Sequence, residues 1–552
     1  MAHATPTPPV LPSPRPARRW RDRLLAAALA AVLACPAVPA HAQVRMPALG
    51  GDGDDSLPVA TERRLGEQTM REVRRDPAYL DDPVLLAYAQ SIWAPLRAAA
   101  ERRGDIGEEL RTQFPWEVFL VRDRSVNAFA LPGGYVGVHL GLIAVTGSRD
   151  ELASVLAHEL SHVSQRHIAR SVGSAGRQTA LGIAAMILGV LAASRANNAD
   201  MAQAAIVGGQ AAMIQGQLNF SRDMEREADR IGFGVLREAG FSPAGMARMF
   251  EKLDQASRLN DSGLYPYLRS HPLTIERVAE ARSRLTLGAA EAPPAADLHP
   301  LMQARARVLM EEGVDGWRRL AGAPALSPLW LERMGTLYAS ALAQARLREF
   351  DAARRTLDEL ERTAASGAGV DPQVGRWLRL LRAEVELEAG EPVRATQALG
   401  PAGPRLPERP ELLLRARATL DAARTTPAPA GAGPVRELAG QLQTWVADHR
   451  ADALAWEQLA LAHEMLGNRL AGARARAEVR AALGDLGAAV DLLRAARRSS
   501  QAATGADFIE ASVIDARLRE LETQRRQIAQ ELRAGRQGRG PEDPDRVDDA
   551  RR

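Results

Sequence analysis

Apolar and polar positions follow several distinct rhythms along this 552-residue chain. Over 150–170, Leu152, Val155, Leu156, Leu160 and Val163 recur at three- and four-residue spacing. No Gly or Pro interrupts them, which predicts an amphipathic helix. Asp150 stands where it can cap that helix, and Glu151 suits its first turn. Upstream, 62–102 reads as helical, with Leu65, Met70, Val73, Leu80, Leu85 and Leu86 at the apolar positions. The β-branched and aromatic run at 116–121, WEVFLV, predicts a strand. A second short strand takes Asn127, Ala128, Phe129 and Ala130. Pro132, Gly133 and Gly134 turn the chain, and 135–140 alternates as a third strand.

Two segments depart from these rhythms. Residues 179–193, TALGIAAMILGVLAA, are almost wholly apolar, and a softer apolar run follows at 202–215. Fifteen residues are short for a bilayer span, so a helical hairpin near the preceding elements is expected. Plain core stands beside a lid, a hydrophobic substrate surface and peripheral membrane contact through 179–215. After Arg284 the character changes, and GAAEAPPAAD at 288–297 is expected to be a linker.

Beyond the linker, helical pairs recur to about 533. Small residues twelve apart mark where paired helices touch: Ala341 and Ala353, Ala383 and Ala395, Ala460 and Gly472, Ala477 and Ala489. Gly390, Gly467 and Gly484 fall at turns between helices. With Trp456, Leu459 and Ala460 at first-helix positions, the pattern resembles degenerate tetratricopeptide repeats, interrupted by Pro-rich stretches at 401–410 and 427–434. A helical solenoid of this kind presents a concave surface to partner proteins. The polar tail, 534–552, is expected to be disordered.

Composition changes this picture at the N-terminus. Arg15, Arg18, Arg19, Arg21 and Arg23 precede an apolar run from Leu24 to Cys35. Ala40-His41-Ala42 then fits a small-residue cleavage site, so 1–42 reads as a secretory signal and the expected compartment is the periplasm. Those 42 residues hold five Arg and one Asp, so their removal takes the formal charge from +3 to about −1. A nucleic-acid role thereby loses its electrostatic support. Cys35 is the one cysteine, so the mature chain has no disulfide. The alternative, in which 32–35 is a lipobox, leaves Cys35 as a lipid anchor in the envelope.

Candidate chemistry lies on the helix at 150–170. His158 and His162 fall about 40° apart on consecutive turns, so both reach one metal ion. Glu159 is rotated about 100° from His158, beside the metal, where a general base is placed to act on water. A third ligand is sought at 221–231, SRDMEREADRI. Glu225 and Asp229 share a helical face there, while Glu227 is about 200° round from Glu225. Glu225 is therefore assigned as ligand and Asp229 as the acceptor that orients a ligand imidazole. His167, about 140° off the metal-facing side, reads as a surface or packing histidine.

These motifs resemble the gluzincin metallopeptidases of the CaaX-protease and HtpX type. The resemblance covers about 60–285. It rests on His158-Glu159-x-x-His162, on Glu225-x-x-Ala228-Asp229, on 127–134 and on Ser270-His271-Pro272-Leu273-Thr274-x-x-Arg277. It implies one zinc ion per chain on His158, His162 and Glu225, with Glu159 and Asp229 as catalytic residues. It also implies a β-strand edge at Asn127, Ala128, Phe129 and Ala130 that accepts extended substrate. Three readings stand for His271: a plug on the metal's open position, a donor to the oxyanion, or a helix-start residue before Pro272.

The expected fold is mainly α: a zincin-type metallopeptidase domain with a small β-sheet at 43–287, then an all-α repeat solenoid at 298–533. Joined to its repeats, the mature chain is similar to family members of outer-membrane quality control. That implies misassembled or unfolded protein substrates, and assembly machinery engaged through the repeats. A chaperone or assembly scaffold acting mainly through the repeats is the alternative.

Overall fold

A computed structural model describes residues 57–173, 222–259, 265–286, 299–367, 373–401, 403, 405–425, 431–499 and 506–537. The expectations for 1–42, 179–193, 202–215, 288–297 and the end of the tail lie outside the described residues. The described protein is mainly helical, with one small mixed sheet and a long all-helical C-terminal region. No described helix is long and apolar enough to cross a membrane.

The region expected to be helical from 62 to 102 is divided. One helix spans Val59–Val73 and the next spans Pro83–Arg103. Between them Tyr79–Leu80 forms a short strand, β1. Chemistry at Asp82 and Pro83 makes the break. The Asp82 carboxylate accepts from Leu85 N at 2.8 Å, and Pro83 occupies the first helical position, where its missing N–H costs nothing. Three strands follow: β2, Glu117–Val121; β3, Ala128–Leu131; and β4, Tyr135–His139.

The sheet order is β1-β2-β4-β3. β2 and β4 run parallel, with Val118 opposite Val136, while β3 lies antiparallel to β4, with Ala128 opposite Val138. The turn between β3 and β4 carries Gly133 at φ 76° and Gly134 at φ 92°, backbone that side-chain-bearing residues avoid. β4 was expected to alternate, yet every one of its residues is buried, because other elements cover both of its faces. β3 forms one edge of the sheet and packs against the helix that carries the histidines.

That histidine helix spans Arg149–Ser164. Its N-cap is Ser148, whose Oγ accepts from Glu151 N at 3.2 Å. Asp150, expected as the cap, lies within the first turn and instead accepts from Ser242 N at 3.1 Å. The helix is buried on all sides from Glu151 to Ser164, not only on an apolar face. Three helices, Pro83–Arg103, Arg222–Glu238 and Ala244–Leu259, pack around it with β3. Its polar face meets other polar side chains rather than water.

The C-terminal helices continue the same core. One apolar cluster runs from Val59 to Ala418 across the composition change near 288. The helix His299–Met310 packs on the helix Leu140–Val145 and on the helix Trp330–Arg346. His299 is fully buried, with Nδ1 2.7 Å from the Tyr88 hydroxyl and Nε2 2.8 Å from the Thr146 carbonyl. Arg305 donates to both Asp82 oxygens at 2.7 and 2.6 Å and to Glu384 at 2.8 Å.

Helical pairs then pack in succession. Ala341, Ala353, Ala383, Ala395, Ala477 and Ala489 are fully buried between neighbouring helices. Gly390, Gly467 and Gly484 occupy the turns, each with φ between 75° and 79°. The last helix runs over Ala506–Gln537, past the tail start expected at 534, because good helix formers such as Ala, Glu, Leu, Arg and Gln continue to that point.

Candidate metal centre

Four buried side chains converge: His158, His162, Glu225 and His271, each offering a ligand atom within 4.8 Å of the others. The histidine helix contributes the first two. Glu225 comes from the helix Arg222–Glu238, and His271 follows the short helix Tyr267–Ser270. Gly232 lets those two longer helices approach closely. A Cβ at that position would meet Ala157 C and O and His158 N at 3.2 Å.

His158 Nε2 is 3.0 Å from His162 Nε2 and 3.5 Å from Glu225 Oε2. His162 Nε2 is 3.4 Å from Glu225 Oε1, and His271 Nδ1 is 2.9 Å from the same oxygen. On its far side His158 Nδ1 donates to Asp229 Oδ1 at 2.9 Å, which fixes the ring's orientation. Arg277 holds that carboxylate from Nε at 2.7 Å and from Nη2 at 2.9 Å, and its Nη1 stands 2.8 Å from Glu225 Oε2.

The electrostatics of this ring favour positive charge at its centre. Burial opposes a proton on either imidazole. In His158 the hydrogen bonds and charges of Asp229 and Glu225 outweigh burial and push the ring up to about 10. In His162 burial prevails over Glu225, and the ring is pushed well below the usual histidine range. Burial would raise Asp229, yet His158 and Arg277 hold it down at about 2. Glu225 is likewise held well below the usual range, against burial, by the charge of His271 and by its close contacts with the three imidazoles. Two facing ring nitrogens and an ionised carboxylate fit a divalent cation, and two imidazoles with one carboxylate fit zinc.

Glu159 lies beside the ring and is fully buried. Among the described residues neither of its carboxylate oxygens has a hydrogen-bond partner, and His271 Nε2 stands 3.5 Å from Oε1. A buried carboxylate without a donor is costly, which points to a ligand or a proton as the missing partner.

His271 does not start a helix. It follows the end of Tyr267–Ser270, and the next helix begins only at Ile275, so the helix-start reading before Pro272 fails. Its ring stacks on Tyr267 with centroids 4.7 Å apart.

His167 departs from its expected position. The histidine helix ends at Ser164, and Arg166 takes φ 53° before a new helix, His167–Gly173. Arg166 is tied down through its bond to Glu62 at 2.9 Å and another to the Leu57 carbonyl. Angles counted along one unbroken helix therefore do not apply. His167 is completely buried, and its Nδ1 lies 2.8 Å from His162 Nδ1.

Of the expected substrate edge, Asn127 and Ala128 are buried, while Phe129 and Ala130 are half-buried. The Asn127 side-chain oxygen is buried without a hydrogen-bond partner among the described residues. Sequence reasoning left Arg277 without a role and did not foresee the contacts of His167 with His162 and Glu227. The Arg277 signal was its place in the Ser-His-Pro segment. Nothing local announced the other two.

Residues 97–285 match peptidase family M48. The chain is 36% identical over 345 residues to the putative beta-barrel assembly-enhancing protease of Vibrio cholerae, a stretch covering 59% of this chain and 66% of that protein. It is 29% identical over 515 residues to the beta-barrel assembly-enhancing protease of Escherichia coli K12, covering 91% of this chain and 97% of that protein. The metalloprotease LoiP of Escherichia coli K12 is 28% identical over 233 residues, or 42% of this chain and 83% of that protein.

Proposed function

Because this chain carries a zinc metallopeptidase domain of family M48, we propose that it cleaves misassembled outer-membrane proteins in the periplasm and assists their assembly. The observation that carries the mechanism is Glu159: a fully buried carboxylate, without a hydrogen bond, beside a ring of metal-ligating atoms. His158, His162 and Glu225 would hold the ion. Zinc, when bound, supplies Lewis acidity toward a carbonyl oxygen and acidifies water.

The rest of the chemistry belongs to the chain. Glu159 accepts a proton from the attacking water and delivers it to the leaving amine nitrogen, so the carboxylate is regenerated. Asp229, held by Arg277, orients His158. An extended peptide adds alongside β3, where main-chain hydrogen bonds confer affinity with little side-chain preference. Unfolded segments suit that geometry. The C-terminal helices form tetratricopeptide-type repeats whose surface engages the assembly machinery. The names of the relatives and the expected signal at 1–42 support the outer-membrane substrate and the compartment.

His271, whose ring lies in the same cluster as the three ligands and 2.9 Å from Glu225, would act as a plug by offering the ion a fourth ligand atom. His271→Ala then raises proteolysis by the resting enzyme. A fall would favour the oxyanion donor instead.

The decisive experiment is Glu159→Gln with zinc retained. Cleavage of a misassembled outer-membrane protein falls by about 10²–10⁴-fold. Degradation at the wild-type rate would sink the peptidase mechanism assigned to Glu159.

A further inference from the structure

His158 and His162 are oriented by different partners. Behind His158 stands a carboxylate, Asp229. Behind His162 stands a second imidazole: His167 Nδ1 is 2.8 Å from His162 Nδ1, with the ring centroids 4.8 Å apart and the rings at 78°. On its other side, His167 Nε2 is 3.1 Å from Glu227 Oε2, and Arg170 Nη1 reaches the same oxygen at 3.0 Å.

The protons in this chain can be assigned from chemistry alone. Glu227, ionised beside Arg170, only accepts, so His167 Nε2 carries the hydrogen. The neutral His167 ring then offers Nδ1 as an acceptor. His162 Nδ1 must therefore donate, which leaves its Nε2 lone pair directed at Glu225 and His158. A metal-ligating histidine needs that tautomer.

We propose that His167 and Glu227 are positioning residues for the metal centre: they lock His162 in its ligating tautomer and orientation through an imidazole–carboxylate relay. This rests on the reading of His162 as a zinc ligand. The backbone break at Arg166 serves the relay, since it swings His167 back over the His162 ring. Glu227 lies two residues from Glu225 on one helix but faces away from the cluster, so a single helix supplies a ligand on one side and the relay's end on the other. His167–Gly173 immediately precedes 174–221 and Arg222–Glu238 immediately follows it, so the relay also joins the two ends of that segment.

The test is zinc affinity in the full mature chain, measured by competition with a chromogenic chelator, with cleavage at saturating zinc as a second readout. His167→Leu removes the acceptor and is expected to weaken zinc binding by about 10–100-fold. His167→Gln keeps an oxygen to accept from His162 and an amide to donate to Glu227, and is expected to return affinity to within about threefold of wild type. Wild-type affinity in His167→Leu, or equal losses in the Leu and Gln variants, overturns the relay. If His167→Leu does not fold, Glu227→Ala carries the test, because it removes the acceptor from a side chain that is part exposed. A loss of about three- to tenfold supports the relay, and no loss overturns it. His162→Ala tests the underlying reading separately: undiminished zinc affinity there sinks the ligand assignment itself.

Discussion

Around the histidine helix, buried polar groups form chains with open ends: Arg277 on Asp229 on His158, and Glu227 on His167 on His162. Along the C-terminal helices, charges close on one another: Arg354 with Glu386, Arg517 with Glu478, and Arg305 with Asp82 and Glu384. Both regions take polar groups out of water, and each group needs a partner. In the C-terminal helices the partner is another side chain, so the pair ties two helices together. At the metal centre the chains stop at ring nitrogens and carboxylates that still require positive charge, and Glu159 has no donor at all. A buried carboxylate with neither oxygen bonded among the described residues, Glu159, therefore sets the candidate site apart from the paired carboxylates Glu386, Glu478 and Glu384.

The contrast can be broken at the scaffold first. Arg305→Ala leaves Asp82 and Glu384 buried without compensation and is expected to cost about 3–5 kcal/mol in urea unfolding. Cleavage per folded molecule should stay near wild type. Burial raises the Asp82 carboxyl, yet Arg305 more than offsets this and holds it below its ordinary range. That stabilisation is present in full at neutral pH and is lost in acid, as the pH falls through the lowered value. A stability loss below about 1 kcal/mol would mean that the closed pairs are not what holds the seam.

A matched pair of glycines gives smaller effects. Gly232→Ala places a methyl 3.2 Å from the histidine-helix backbone, so Glu225 and Asp229 shift by a few tenths of an ångström against His158. The expected result is a fall of about tenfold in kcat/KM with the fold intact. In the C-terminal helices, a methyl at Gly472 meets Glu464 Cγ at 3.5 Å and Ala460 O at 3.6 Å, ordinary contact distances. Gly472→Ala should therefore leave cleavage unchanged and raise stability by up to about 1 kcal/mol. Equal effects on cleavage at the two positions would erase the distinction between site and scaffold.

How far the sequence reached depended on the range of the interaction. Periodicity separated Glu225 from Glu227, because residues two apart on a helix cannot share a face. The same arithmetic misplaced His167, since it assumed that the helix continues through Arg166. That break is held by Glu62, some hundred residues upstream, together with Leu57. Asp150 looked like a cap by composition, but Ser148 supplies the bond, and Asp150 is engaged by Ser242 on a distant segment. The division at β1 was legible in Asp82-Pro83 and was passed over because the apolar spacing runs on across it.

By itself, the sequence determined the candidate ligand types, the spacing of two of them on one helix, the strands at 116–121, 127–130 and 135–140, and the small residues at helix crossings. Backbone periodicity and steric fit are short-range, so a linear pattern records them. Tertiary structure decided what surrounds each ligand. It brought His271 to Glu225, set Arg277 on Asp229 and His167 on His162, and anchored the C-terminal helices through Arg305. Those contacts join residues far apart along the chain or across a broken helix, and only the packed core fixes such distances.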